Sequence, residues 1–305
     1  MTSPNNLLHP DALSTLSTVR HWLRYAVSQF TRHDLFFGHG FPGPEAEASY
    51  LVLHALGLPH ASRDLWLDAL LLPQERQAVW ALLEQRILTR KPAAYLTQEA
   101  WLGPYRFYVD ERALVPRSFI AEALNEGLDY WIAEFDRLER VADICTGGGS
   151  LAILLALKCP QAKVDAVDLS PQALQVATLN RAAYGLQEQI QLHQGDLFEG
   201  LEPGAYDLIL SNPPYVDAPA MASLPPEYQQ EPSLALASGE DGLEHTRRLL
   251  THAATYLKPG GLLVVEVGHQ RARLEAAFAR TPFTWLDLSA GDSYVFVLRR
   301  EDLPV

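Results

Sequence analysis

The chain has 305 residues, 48% of them apolar and 20% charged, which are the values of a globular protein with a sizeable core and exclude a disordered or fibrous one. Acidic residues outnumber basic ones by 37 to 24, for a net charge of -13. That balance argues against a general nucleic-acid binder, which needs a basic face, and permits a basic protein partner.

The opening MTSPNNLLHP has no basic start followed by an apolar core, so no secretory signal is expected. Residues 11–90 read as helical. Leu16, Val19, Leu23, Ala26, Val27 and Phe30 recur at spacings of three and four, and further helices are expected over 45–57 and 73–88. Pro73 suits a first helical position. Residues 1–90 are thus expected to form a helical bundle that recognises a substrate. Residues 91–118 are rich in aromatics around Gly103-Pro104 and predict a linking β-hairpin.

From 119 to 305 short apolar runs alternate with helical stretches. Strands are expected at 141–145, 163–169, 189–196, 206–211, 261–267, 283–288 and 293–300, with helices at 118–136, 149–158, 171–184, 241–257 and 269–279. Strands separated by helices predict an α/β doubly wound, mostly parallel sheet. Only SAGD separates the last two strands, so the last one runs antiparallel. Seven strands ending in one reversed strand predict the Rossmann-like sheet of methyltransferases. The longest aliphatic run, LAILLAL at 151–157, is far short of a membrane span. The two cysteines, Cys145 and Cys159, are too few for a disulfide framework, which points to the cytoplasm.

Chemistry concentrates at the carboxyl ends of the expected strands, where open α/β sheets bind ligands. Between the first strand and its helix stands Asp143-Ile144-Cys145-Thr146-Gly147-Gly148-Gly149-Ser150. Glycines there let backbone approach a ligand closely. Asp168 ends the next strand and can accept from both hydroxyls of a ribose. Asp143 would order the loop or meet the far end of the ligand. Asp196 ends the third strand and can accept from an adenine amino group, with Leu197 covering an adenine face. Taken alone, the loop with Asp168 also fits a dinucleotide site.

The fourth strand ends in Ser211-Asn212-Pro213-Pro214-Tyr215. Neither proline has an N–H, and the residue before each is pushed toward an extended backbone. The stretch therefore offers fixed acceptors with few competing donors, and Asn212 adds an amide oxygen. Such a corner suits a planar –NH2 group, with Tyr215 packed on its flat face. Paired with a sulfonium methyl donor, it predicts methyl transfer to a nitrogen that orientation and hydrogen bonding activate. The corner alone does not separate an adenine or cytosine amine from a glutamine amide. Cys145 reads as a packing residue, no His or Cys cluster has metal-ligand spacing, and Glu266 in VVEVG reads as structural.

These residues resemble the glutamine N5-methyltransferases that modify proteins of translation, over nearly the whole chain. The family joins a helical N-terminal domain to a methyltransferase domain by a hairpin. One branch modifies the GGQ glutamine of peptide-chain release factors; the other modifies a glutamine of the third protein of the large ribosomal subunit, L-three. Pro116-Arg117-Ser118-Phe119-Ile120-Ala121-Glu122, the loop start Cys145-Thr146-Gly147, Phe36-Phe37-Gly38-His39-Gly40 and the LPPEYQQEP stretch from Leu224 to Pro232 resemble the ribosomal branch. The resemblance implies that Asn212, Pro213, Pro214 and Tyr215 hold the glutamine amide. It implies that Thr146, Gly147, Gly149, Asp168 and Asp196 bind S-adenosylmethionine. Leu197 stands where the release-factor branch has tryptophan, and Gly148 and Ser150 depart from the usual CTGSGC. The release-factor enzyme is the rival with the same chemistry. A DNA or RNA amine methyltransferase, a nicotinamide oxidoreductase and a non-catalytic binding module are the rivals from other classes.

Overall fold

The structure is a computed structural model that describes residues 8–304; most of the opening stretch read for a secretory signal lies outside them. Two compact units divide the chain. One is built from the chain up to Glu99 together with Leu224–Gln230, the other from Ala100–Ser223 and the chain from Glu231 onward.

In the first unit the expected periodicities become α1 (Val19–Arg32), α2 (Pro44–Ala55) and α3 (Pro73–Thr89). Their apolar sides meet in a core around Trp22, Phe30, Leu51, Leu53 and Leu83, all at most 1% exposed. A cluster of charges sits inside this unit. The Arg86 guanidinium is fully buried and donates to Glu47 at 2.6 Å. Glu227, from the short segment that joins this unit, accepts at one oxygen from Arg86, from Arg90 at 3.0 Å and from the Phe36 N–H at 3.1 Å. Beside it the Tyr228 hydroxyl donates to the Gly38 carbonyl. The FFGHG and LPPEYQQEP stretches of the sequence therefore meet in one place.

The second unit begins with a hairpin, β1 (Ala100–Leu102) and β2 (Tyr105–Phe107), whose turn holds Gly103 at positive φ. The main sheet has seven strands: β3 (Arg140–Ile144), β4 (Lys163–Asp168), β5 (Ile190–Gln194), β6 (Tyr206–Ser211), β7 (Leu257–Glu266), β8 (Thr284–Trp285) and β9 (Val295–Arg299). The order across the sheet is β5-β4-β3-β6-β7-β9-β8. Five strands run parallel, and β9 runs antiparallel between β7 and the short edge strand β8. This is the expected Rossmann-like sheet with its last strand reversed. The central strands are continuous apolar runs because both faces are covered. Val141, Leu208, Leu210, Leu262 and Val264 enter one core layer, and Ala142, Ile209, Leu263 and Val265 the opposite one.

The helices that cover the sheet include α4 (Ser150–Lys158), α5 (Pro171–Ala183), α6 (Glu244–Tyr256) and α7 (Arg271–Ala277). Residues 118–136 depart from the expected helix. Helical backbone covers only Ile120–Glu122, a wider turn at Ala123–Gly127 and a short 3₁₀ turn at Phe135–Arg137. Gly127 is a poor helix former, and turns follow it. Leu128, Ile132 and Phe135 are buried at near-helical spacing without belonging to one long helix, which is why the pattern misleads. No helix among the described residues is long and apolar enough to cross a membrane.

Candidate active site

The carboxyl ends of β3, β4 and β6, with the turn after β5, converge on a cavity. Gly147, Asp168, Asp196, Leu197, Asn212 and Pro214 all line it. Asp143, Thr146, Gly149, Pro213 and Tyr215 do not.

The residues outside the wall hold it in place. Asp143 is wholly buried at the end of β3 and accepts from the Thr146 hydroxyl at 2.5 Å. Burial pushes its pKa up to about 7, against the pull of that hydroxyl. Gly149 closes the loop at φ +81, packed so tightly that a methyl group there would come within 3.1 Å of the Ala177 methyl on α5. Asn180, also on α5, donates to the Gly148 carbonyl at 2.8 Å and to the Tyr108 carbonyl at 3.0 Å, while its oxygen accepts from the Tyr108 N–H. One buried amide thus ties the glycine loop to the chain leaving the hairpin.

Two non-glycine residues on the wall, Cys145 and Leu197, have φ of +61 and +53. Positive φ costs such residues roughly 1 kcal/mol or more and gathers at functional sites. Burial, reinforced by the carboxylates of Asp168 and Asp143, pushes the Cys145 thiol up and so disfavours its thiolate.

Asp168 holds both oxygens in fixed positions. One accepts from the Gly147 N–H and the other from the Ser170 N–H, each at 2.8 Å. Burial still raises its pKa, opposed by those two N–H groups. Each oxygen keeps a further lone pair for a ligand. Asp196 is already engaged: Arg248 on α6 donates to it at 2.7 Å.

Asn212 is different. Its side-chain oxygen is buried and has no hydrogen-bond partner. An orphan buried acceptor costs about 1–3 kcal/mol, and this one belongs to a residue on the cavity wall. The corner around it is rigid: the Ser211 hydroxyl donates to the Ile144 carbonyl at 2.7 Å, and the Val216 N–H to the Leu236 carbonyl at 2.8 Å.

Several wall residues are not among the site residues expected from the sequence. Arg112, Pro232, Leu234 and His245 all line the cavity. Arg112 is turned to Asp110, at 2.6 Å, and pulls that carboxyl down to about 2. Pro232 belongs to the LPPEYQQEP stretch quoted above; His245 sits in a helix start that periodicity alone marks as surface. No group of His, Cys, Asp or Glu among the described residues could hold a metal ion.

Residues 21–97 match the family described as PrmC N-terminal domain, and residues 116–224 match the Methyltransferase small domain. Three relatives are named ribosomal protein uL3 glutamine methyltransferase. The one from Neisseria gonorrhoeae is 53% identical over 96% of this chain and 97% of its own. That from Burkholderia pseudomallei is 50% identical over 94% and 96%. That from Bradyrhizobium diazoefficiens is 45% identical over 94% and 92%.

Proposed function

The chain belongs to the family of ribosomal protein uL3 glutamine methyltransferases, and from that premise we propose that its cavity takes S-adenosylmethionine while the Asn212 corner takes the glutamine amide. The protein is a methyltransferase that modifies a glutamine of uL3, the third protein of the large ribosomal subunit. A basic ribosomal protein suits a chain of net charge -13, which also speaks against stable nucleic-acid binding. The reaction belongs in the cytoplasm, where that substrate is made.

The residues fit this cofactor. Its ribose diol needs paired acceptors, and the lone pairs left on Asp168 supply them. Val167, Leu197 and Leu234 give apolar surface for a flat adenine, and Asp196, held by Arg248, remains an acceptor for its amino group. Asp143, Thr146 and Gly149 act through the loop they hold, and Gly147 gives the ligand backbone to lie against. Bound there, S-adenosylmethionine supplies a methyl group on a positively charged sulfur.

The single observation that carries the reading of the corner as an –NH2 site is the orphan Asn212 oxygen, while the glutamine of uL3 rests on the family. It accepts one N–H of the glutamine amide, and the Pro213 carbonyl accepts the other. Neither Pro213 nor Pro214 offers a competing N–H. Tyr215 packs on the plane of the amide. Asn212 takes no proton at neutral pH, so these groups orient the nitrogen and stabilise charge that develops on it.

Incubation with labelled S-adenosylmethionine and, separately, unmodified uL3, release factor and DNA tests this. Label is expected in a glutamine of uL3. Label in DNA, or in release factor alone, overturns the reading.

A further inference from the structure

Three alternate residues at the end of β7 and just beyond it meet Tyr215 at three separate points. The Gln270 side-chain amide donates to the Tyr215 carbonyl at 3.0 Å. Gly268 lies against the ring: a methyl group there would come within 2.6 Å of Cε2 and 2.8 Å of Cδ2. The Tyr215 hydroxyl lies 3.5 Å from Oε1 of Glu266. The other Glu266 oxygen accepts from the Ser118 hydroxyl at 2.6 Å and the Phe119 N–H at 2.9 Å, so the carboxylate is itself fixed. Gly242 completes the arrangement. A methyl group there would fall 2.5 Å from both the Tyr215 carbonyl and the Gln270 amide.

The arrangement is costly for a mere strand end. Glu266 is 2% exposed, and burying a carboxylate is unfavourable unless its hydrogen bonds are made. Gly268 adopts φ +53, where a side chain is strained as well as obstructed. Each feature has its counterpart in Tyr215: ring, hydroxyl or carbonyl.

We propose that Glu266, Gly268 and Gln270 are positioning residues for methyl transfer, fixing the plane of Tyr215 on which the substrate amide lies. This rests on the reading of the Asn212 corner given above. Gln270 has a second effect. By occupying the Tyr215 carbonyl, it leaves Asn212 and Pro213 as the acceptors that select the amide. A ring held in one plane presents the nitrogen in one orientation, and orientation is a large part of such a reaction.

The experiment uses the full chain with Gly268→Ala, Gln270→Ala, Tyr215→Ala and the double variant Gly268→Ala with Tyr215→Ala. Tyr215 does not line the cofactor cavity, so S-adenosylhomocysteine affinity, measured by calorimetry, is expected to hold in all four. The kcat on unmodified uL3 is expected to fall about 100-fold in Gly268→Ala, as for a displacement of about 1 Å. In the double variant the Gly268→Ala change adds almost nothing to Tyr215→Ala, because both act through one ring. Additive losses, or affinity for the cofactor product falling in step with kcat, would mark a structural role and overturn the proposal. Gln270→Ala leaves the backbone free of strain and covers a folding failure of Gly268→Ala; unchanged kcat there also overturns it. If the wild-type chain methylates no uL3, the substrate reading falls. The positioning role is then decided by a crystal structure of Gly268→Ala, where an undisplaced Tyr215 ring refutes it.

Discussion

Arg117 and Glu231 face each other as a two-pronged ion pair, Nη1 to Oε1 at 2.6 Å and Nη2 to Oε2 at 2.7 Å, with the Glu231 side chain fully buried. The same carboxylate accepts from the Val115 N–H at 3.0 Å. The pair joins two stretches that line the cavity, Arg112 to Leu114 on one side and Pro232 to Ala235 on the other. Glu231→Ala strands a guanidinium and an N–H at once. It is expected to destabilise the methyltransferase unit by about 3 kcal/mol, the low end for a broken buried pair, because Arg117 keeps some water contact. Urea unfolding followed through the transition that S-adenosylhomocysteine shifts measures it. Arg117→Lys keeps the charge but loses one prong, and recovers only part of the stability. Equal midpoints for wild type and Glu231→Ala would show that the pair holds nothing.

Asn212→Ala removes the one orphan acceptor of the corner and leaves both prolines. Methyl transfer is expected to fall roughly 10²–10³-fold, the usual loss for one transition-state hydrogen bond. Asn212→Asp has the same shape and keeps an acceptor, so it loses less. Single-turnover kinetics with unmodified uL3 compares the two. A corner that tolerates alanine with unchanged rate is a rigid turn and nothing more.

Asp168→Asn replaces two acceptors with one acceptor and one donor. Its amide hydrogens then face either the Gly147 or the Ser170 N–H, which loosens the loop and removes an acceptor for a ribose. Losing a hydrogen bond to a charged group costs about 1.5–3 kcal/mol, so S-adenosylhomocysteine is expected to bind about tenfold or more weakly. Calorimetric titration reads this directly, and wild-type affinity in the variant contradicts the assignment.

The sheet, its reversed last strand and the positions of both candidate sites are legible in the sequence for one reason. Buried parallel strands must be apolar runs, and the polar residues that end them stand out: Asp168, Asp196, Asn212. What stays hidden is contact at a distance in sequence. Nothing in the sequence near Glu227 tells that it enters the helical unit to meet Arg86, 141 residues away. His245 reaches the cavity from a helix start that periodicity marks as surface, and Leu234 from a three-residue turn that carries no periodicity. The pairing of Arg248 with Asp196 is invisible for the same reason. Glu266 was legible as a strand end but not as a neighbour of Tyr215, since the sheet order that makes β6 and β7 adjacent is a property of the fold. The stretch 118–136 reads as a long helix because its buried apolar residues Leu128, Ile132 and Phe135 recur at near-helical spacing, although turns deliver them equally well.

Asp143 makes the stability of the methyltransferase unit depend on pH. Its folded-state pKa, about 7, lies above the ordinary aspartate value of 3.8, so between these pH values the folded chain holds a proton that the unfolded chain has lost. The contribution is fully present below pH 3.8 and is lost as pH rises through about 7. Asp168 and Glu266, both raised by burial, act in the same direction. Asp110, held down to about 2 chiefly by Arg112, acts in the opposite one. The difference between wild type and Asp143→Asn isolates the one group. Asparagine keeps an acceptor for the Thr146 hydroxyl and cannot ionise, so the variant is expected to gain on the wild type as pH rises from 5 to 8. Urea midpoints across that range measure it, again through the transition that S-adenosylhomocysteine shifts. Parallel curves for the two proteins would mean that Asp143 ionises without strain, and that the loop it anchors does not depend on its charge.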